Sequence, residues 1–192
     1  KTILVPIFTP EDVAKLIKKK KPNFIIGVPT LFEALANNPG FNKTDLSCLQ
    51  AAYSGADTLP RKVKERFEEV VRNNGGKVQL LEGYGLTEAV TAIMAIPPGF
   101  YKEGSVGVPF PDMLAKICQK GTTEEAPVGE EGEICVSGGR NPYLPLLRYR
   151  TGDRGRVEVR PGPSGVPSPC IVGLQGRRPV FFRDAAGGLV AE

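Results

Sequence analysis

The chain is 192 residues long, 41% hydrophobic and 24% charged, the proportions of a soluble globular protein able to bury one core or two small ones. A net charge of +4 is too slight to argue for a nucleic-acid partner, and the absence of histidine excludes a Ser-His-Asp or Cys-His catalytic unit and any His-ligated metal within the chain. Chemistry here must rest on carboxylates, hydroxyls, backbone amides, Arg, Lys and a bound ion.

Cys48, Cys118, Cys135 and Cys170 are scattered, with no C-x-x-C pair, so reduced thiols in a cytoplasmic setting are expected rather than a disulfide framework. Gly and Pro interrupt every long apolar run, so no membrane span is expected.

In chain order, Thr2 to Val5 reads as a short buried strand. Thr9 caps a helix with Pro10 at its first position, Glu11 and Asp12 in its first turn, and an apolar face of Val13, Leu16 and Ile17. The basic run Lys18 to Lys21 sits where that helix ends, against its negative pole. Phe24 to Val28 is a second strand and Pro29 to Ala36 a second helix. Leu49 to Ser54 is a third strand, ending in a Ser-Gly-Ala turn. Leu59 to Arg72 is an amphipathic helix with Val63, Phe67, Val70 and Val71 inward and its charges outward. Val78 to Leu81 is the fourth strand. This alternation predicts an α/β fold, a parallel sheet layer with helices on its faces and ligands beyond the carboxyl ends of its strands.

After Ala95 the helix signals cease. Short strand candidates at 105–107, 113–118, 132–137, 154–159, 171–174 and 179–183 are divided by Gly/Pro turns and predict a small antiparallel, β-barrel-like subdomain. Residues 1–96 and 97–192 are the two expected domains.

The most informative stretch is Gly83-Tyr84-Gly85-Leu86-Thr87-Glu88. It reads as a tight glycine turn after a strand, where the backbone can reverse and a ligand approach closely. Tyr84 offers a ring to stack on a base, Thr87 a hydroxyl for a phosphate oxygen, and Glu88 a carboxylate for Mg²⁺. The same residues also suit a plain β-turn capping the next element. Ser54-Gly55-Ala56-Asp57-Thr58-Leu59-Pro60 lies upstream and Arg150-Thr151-Gly152-Asp153 downstream. In order and spacing the three stretches resemble the adenylate-forming superfamily: acyl-CoA synthetases, peptide-synthetase adenylation domains and luciferases.

That resemblance implies a flavodoxin-like sheet layer and AMP-forming activation of a carboxylate, with ATP, Mg²⁺ and coenzyme A as cofactors and a fatty or aryl acid as substrate. By the same resemblance Ala56, Asp57 and Thr58 line the adenine edge, although Asp57 stands where a small residue is commoner. Gly83, Tyr84 and Gly85 form the adenine turn, with Tyr84 stacking. Thr87 contacts the α-phosphate or the adenylate, and Glu88 binds Mg²⁺, the two making up the catalytic pair. Asp153 accepts from the ribose hydroxyls and Arg177 is the second ribose contact. The match at Arg177 is loose, because the hinge aspartate expected three residues on is Val180. Thr30, Phe32 and Gly83 are candidates to line the acyl pocket, and plain core is the other reading of that helix start.

Cation choice changes along the chain. No lysine follows Lys120, whereas Arg140, Arg148, Arg150, Arg154, Arg156, Arg160, Arg177, Arg178 and Arg183 crowd the remainder. Residues 1–138 resemble fatty acyl-CoA synthetases, and the stretch from Asn141 to Tyr149 resembles phenylacetate-CoA-ligase-like enzymes, so a fusion near Gly138 and a natural divergent member both stand as explanations. The family's lysine-bearing phosphate loop is expected before Lys1 and its mobile lid after Glu192, making this a partial chain. An incomplete adenylate-binding portion is the leading expectation; its exposed subdomain surface would favour self-association. A non-catalytic scaffold is the alternative. A flavodoxin-like flavin binder is disfavoured, since Pro6-Ile7-Phe8-Thr9 stands where a phosphate-binding glycine turn would follow the first strand.

Overall fold

The computed structural model describes residues 2–89, 91–138, 143, 145–161, 165–177, 181–183 and 189–191, and the chain divides into two compact units, Lys1–Val108 and Pro109–Glu192.

In the first unit, α1 (Pro10–Lys20) begins as its sequence dictates: Thr9 Oγ1 accepts from the Asp12 amide at 3.2 Å and donates to Asp12 Oδ2 at 2.8 Å. Lys21 ends it in the left-handed conformation, with φ of 45°. β1 (Phe24–Gly27), β2 (Ala51–Ser54) and β3 (Leu80–Leu86) pair in parallel, joined through α2 (Pro29–Asn37) and α3 (Arg61–Asn73). Pro60 serves as the cap of α3 and holds the preceding Leu59 out of the helix.

Both crossovers step the same way across the sheet, β1 to β2 to β3, and right-handed connections therefore put α2 and α3 on one face. There Phe32, Leu35, Phe41, Leu46, Phe67, Val70, Val71 and Leu80 form one core with Ala14 and Ile17 of α1. Phe32 meets Phe67 edge to face with ring centroids 5.0 Å apart. On the other face of β1, Phe24 and Ile26 are 55% and 75% exposed. Helices on both faces were the expectation; the described residues cover one.

Two further corrections concern strands. Residues 2–5 join no sheet, and Leu4 is 82% exposed: an apolar run without a paired neighbour has no ladder to make it a strand. The parallel sheet is also a mixed one. β3 continues past Leu81 through the glycines to Leu86, and the chain reverses only at the single 3₁₀ turn Thr87–Ala89. It then returns antiparallel as β4 (Thr91–Ala95), beyond which lies the two-residue β5 (Val108–Pro109).

The second unit holds an open, half-barrel antiparallel sheet of β6 (Met113–Cys118), β7 (Glu131–Gly138), β8 (Leu146–Pro161) and β9 (Pro167–Gln175), with a separate pair β10 (Phe181–Arg183) and β11 (Leu189–Ala191). β8 is far longer than the expected 154–159 because it carries the Arg-Thr-Gly-Asp stretch within its ladder. Cys118 and Cys135 are buried here, and desolvation together with a hydrogen bond between the two thiols pushes Cys135 up to about 12.

Candidate adenylate-binding site

The expected site residues fall in two groups, one in each unit. In the first, β2 ends at Ser54 and its turn is fixed from below: the Gly55 amide donates to the Gly27 carbonyl at 3.0 Å. A β-carbon on Gly55 would stand 3.3 Å from the Gly83 carbonyl oxygen, so this turn lies directly on the neighbouring strand. Ala56 follows with φ of 69°, a conformation costing a non-glycine residue about 1–2 kcal/mol. Asp57 Oδ1 accepts from the Thr58 amide at 2.7 Å, and all three residues of the Ala56–Thr58 loop are exposed. The loop carrying Ala56, Asp57 and Thr58 thus leaves β2 beside Gly83.

Gly83, Tyr84 and Gly85 do not make the expected tight turn. They lie in β3, paired with Ala95, Met94 and Ala92, with a bulge where β4 steps from Met94 to Ala92 against Tyr84 to Gly85. Glycine serves close strand approach: a β-carbon on Gly83 would sit 3.3 Å from the Met94 carbonyl oxygen. Tyr84 is half-buried on the strand, while Thr87 is exposed and Glu88 half-buried in the reversal that follows.

A polar network supports this strand from α3. Lys64, expected on the outward face, is buried; its Nζ donates to the Leu80 carbonyl at 3.0 Å, pairs with Glu68, and lies 3.9 Å from the centre of the Tyr101 ring. Glu68 also accepts from the Leu80 amide at 2.9 Å. An i, i+4 Lys–Glu pair reads as surface in sequence, and only the backbone groups at the start of β3 explain its burial. Burial raises the carboxyl of Glu82, against the opposing pull of the Leu59 backbone and Lys64.

In the second unit Glu133 of β7 faces Arg154 of β8 and Cys135 faces Arg150, so the three residues Thr151–Asp153 stand opposite Ile134 alone in a bulge. Thr151 is buried, its hydroxyl donating to the Ile134 carbonyl at 3.0 Å and accepting from the Asp153 amide at 3.1 Å. Gly152 supplies φ of 82°. Arg177 lies over it, with Cγ only 3.1 Å from where a β-carbon would be. Asp153 and Arg177 therefore share one short stretch of surface, while Val180 lies outside the described residues.

The expected acyl-pocket lining is not upheld at Phe32, which is fully buried in the helical core, while Thr30 is exposed. The open hollow of about 230 Å³ between α2 and α3 is lined by Glu33, Ala36, Asn37, Lys62, Val63 and Arg66, none of them an expected site residue. Among the described residues no group of three or more Cys, Asp and Glu could hold a metal. A Mg²⁺ ion that takes most of its ligands from phosphate and water would not require such a cluster.

Residues 1–141 match the family model of the AMP-binding enzymes, and the chain belongs to that family. Over 159 residues it is 36% identical to a probable 4-coumarate–CoA ligase 1 of Dictyostelium discoideum, covering 83% of this chain and 28% of the relative. Over 137 residues it is 42% identical to a long-chain-fatty-acid–CoA ligase of Bacillus subtilis, covering 71% and 24%. An alignment of 159 residues in a chain this long necessarily runs through Gly138, so one relative matches both sides of the change from Lys to Arg.

Among solved structures it resembles a long-chain-fatty-acid-CoA ligase from Archaeoglobus fulgidus, with a TM-score of 0.71 and 26% identity over 89% of this chain and 37% of that one. Apo MatB from Rhodopseudomonas palustris gives 0.68 and 25%, covering 97% and 36%. The chain spans about a quarter of the length of these curated relatives.

Proposed function

We propose that the chain is the adenine- and ribose-binding portion of an AMP-forming carboxylate–CoA ligase. In that reaction ATP and a carboxylate give an acyl-adenylate and pyrophosphate, and the acyl group then passes to the thiol of coenzyme A. The reading is carried by the Thr151–Asp153 bulge, where a buried threonine, a left-handed glycine and an overlying arginine hold an aspartate in one place. A fixed carboxylate beside a guanidinium suits a vicinal diol, and charge-assisted bonds of that kind are worth about 1.5–3 kcal/mol each.

Each residue then has a task. The exposed backbone of Ala56–Thr58 and the adjacent Gly83 carbonyl border the adenine, with Asp57 shaping its own loop through the Thr58 amide. Tyr84 stacks on the base, Gly85 keeps the strand slim beside it, and Thr87 meets the α-phosphate. Glu88 holds Mg²⁺, which neutralises phosphate charge when bound. Asp153 and Arg177 hold the ribose. The family's chemistry depends on positioning and charge more than on a protein nucleophile, which agrees with a chain lacking histidine. The substrate class is a fatty or aryl acid, with a cytoplasmic setting. Turnover is assigned to a longer assembly, since this chain spans only about a quarter of its relatives. Carboxylate-dependent ATP–pyrophosphate exchange by the chain alone at an ordinary enzymatic rate would overturn that assignment.

Calorimetric titration with a non-hydrolysable acyl-adenylate analogue tests the binding reading. Saturable binding that Asp153→Ala weakens at least about tenfold, near 1.4 kcal/mol, is expected. No binding by a cooperatively folded chain would leave the motifs as scaffold only.

A further inference from the structure

The Asp153 loop is held from a neighbouring strand by a residue that makes no ligand contact in the reading above. Glu133, on β7, receives Arg150 Nε on Oε2 at 2.7 Å, and Arg150 Nη2 reaches the same oxygen. Its other oxygen, Oε1, accepts from the Gly152 amide at 3.0 Å. One carboxylate thus grips both the residue that opens the bulge and the backbone at its centre. The Glu133 side chain is 19% exposed, so its bonds are sheltered from water. The ladder cannot do this work, because β7 and β8 are out of register between Glu133/Arg154 and Cys135/Arg150. Within that gap the Gly152 N–H has the Glu133 carboxylate as its partner.

We propose that Glu133 is the positioning residue of this site: its carboxylate, braced by Arg150, fixes the Gly152 peptide and thereby the place of Asp153. The inference rests on the ribose-binding reading for its functional consequence, though not for its structural one. Glutamine at 133 retains an oxygen for the Gly152 amide but loses the charge facing Arg150. Aspartate retains the charge but is one methylene too short to hold both partners. A residue that served only general stability would weaken all ligands alike by lowering the folded fraction.

The experiment uses the 192-residue chain with Glu133→Ala, Glu133→Asp and Glu133→Gln, each checked for cooperative unfolding. Two readouts are taken: amide hydrogen exchange at Gly152, and the ratio of affinities for AMP and 2′,3′-dideoxy-AMP. Glu133→Ala and Glu133→Asp should speed exchange at Gly152 by about tenfold or more while Ile134 and Val136 keep their protection, and Glu133→Gln should restore most of the difference. If Glu133→Ala does not fold, Glu133→Asp carries the comparison. Unchanged Gly152 exchange in folded variants overturns the inference. Preference for AMP should fall at least about fivefold in Glu133→Ala and Glu133→Asp; a preserved ratio with faster exchange also overturns the inference while leaving the ribose reading intact. If the parent chain itself does not prefer AMP, the ribose reading fails, and Gly152 exchange alone decides whether Glu133 fixes the loop.

Discussion

Arg177 packs on Gly152 so closely that its Cγ stands 3.1 Å, and its Cδ 3.4 Å, from the position a β-carbon would take. Gly152 is also at φ of 82°, where an L side chain is strained. Gly152→Ala should therefore destabilise the chain by about 1–2 kcal/mol and displace the Arg177 side chain. Thermal unfolding and AMP titration check this together, and a variant with unchanged stability and affinity would contradict the packing.

The helical core of the first unit stands on Phe67, wholly buried between Phe32 and Phe41. Phe67→Ala should cost about 3–5 kcal/mol in denaturant unfolding, since it removes apolar burial and leaves a cavity bounded by two rings. Phe67→Leu should cost markedly less.

Glu82 gives stability a dependence on pH. Burial raises its carboxyl above its ordinary value of 4.5, so the folded chain holds that proton more tightly than the unfolded chain. Its contribution is fully present below 4.5 and is lost as pH rises through the folded value. Glu82→Gln should flatten this slope and leave the variant relatively more stable at neutral pH. Denaturant midpoints from pH 4 to pH 8 measure it, and parallel curves for the two proteins would refute the assignment.

The open face of β1 makes a prediction about association. Phe24 and Ile26 are exposed on an edge strand, which invites pairing with a second copy. The chain should show concentration-dependent self-association in sedimentation, and Ile26→Lys should suppress it without lowering the unfolding midpoint.

How much of this was legible in sequence depended on the range of the interactions involved. The start of α1 was readable because Thr9, Pro10, Glu11 and Asp12 act within one turn. The glycine stretch at 83–85 was misread as a turn because glycine suits both a reversal and a close strand approach. The choice between them is made by β4, whose Met94 and Ala95 crowd the same backbone. Lys64 and Glu133 were missed for one reason. Each is a charged residue whose partner is a backbone group distant in sequence, the Leu80 carbonyl for one and the Gly152 amide for the other. The motif stretches could be picked out by residue type and order, and β2 was expected where it stands; the extension of β3 to Leu86 and of β8 across Arg150–Asp153 was not.

The bulge at Thr151–Asp153 also limits how this region can change. These residues interrupt a ladder that resumes with Arg154 and continues through Val157 opposite Ile171. A substitution there alters one side chain, whereas losing a residue would take away the buried Thr151 hydroxyl, the left-handed Gly152 or Asp153 itself, each of which shapes the others. The loop is accordingly open to new chemistry by replacement and closed to new length. A library built to retune this stretch should vary identity at fixed residue count, and single-residue deletions within it should be recovered folded with weakened AMP binding.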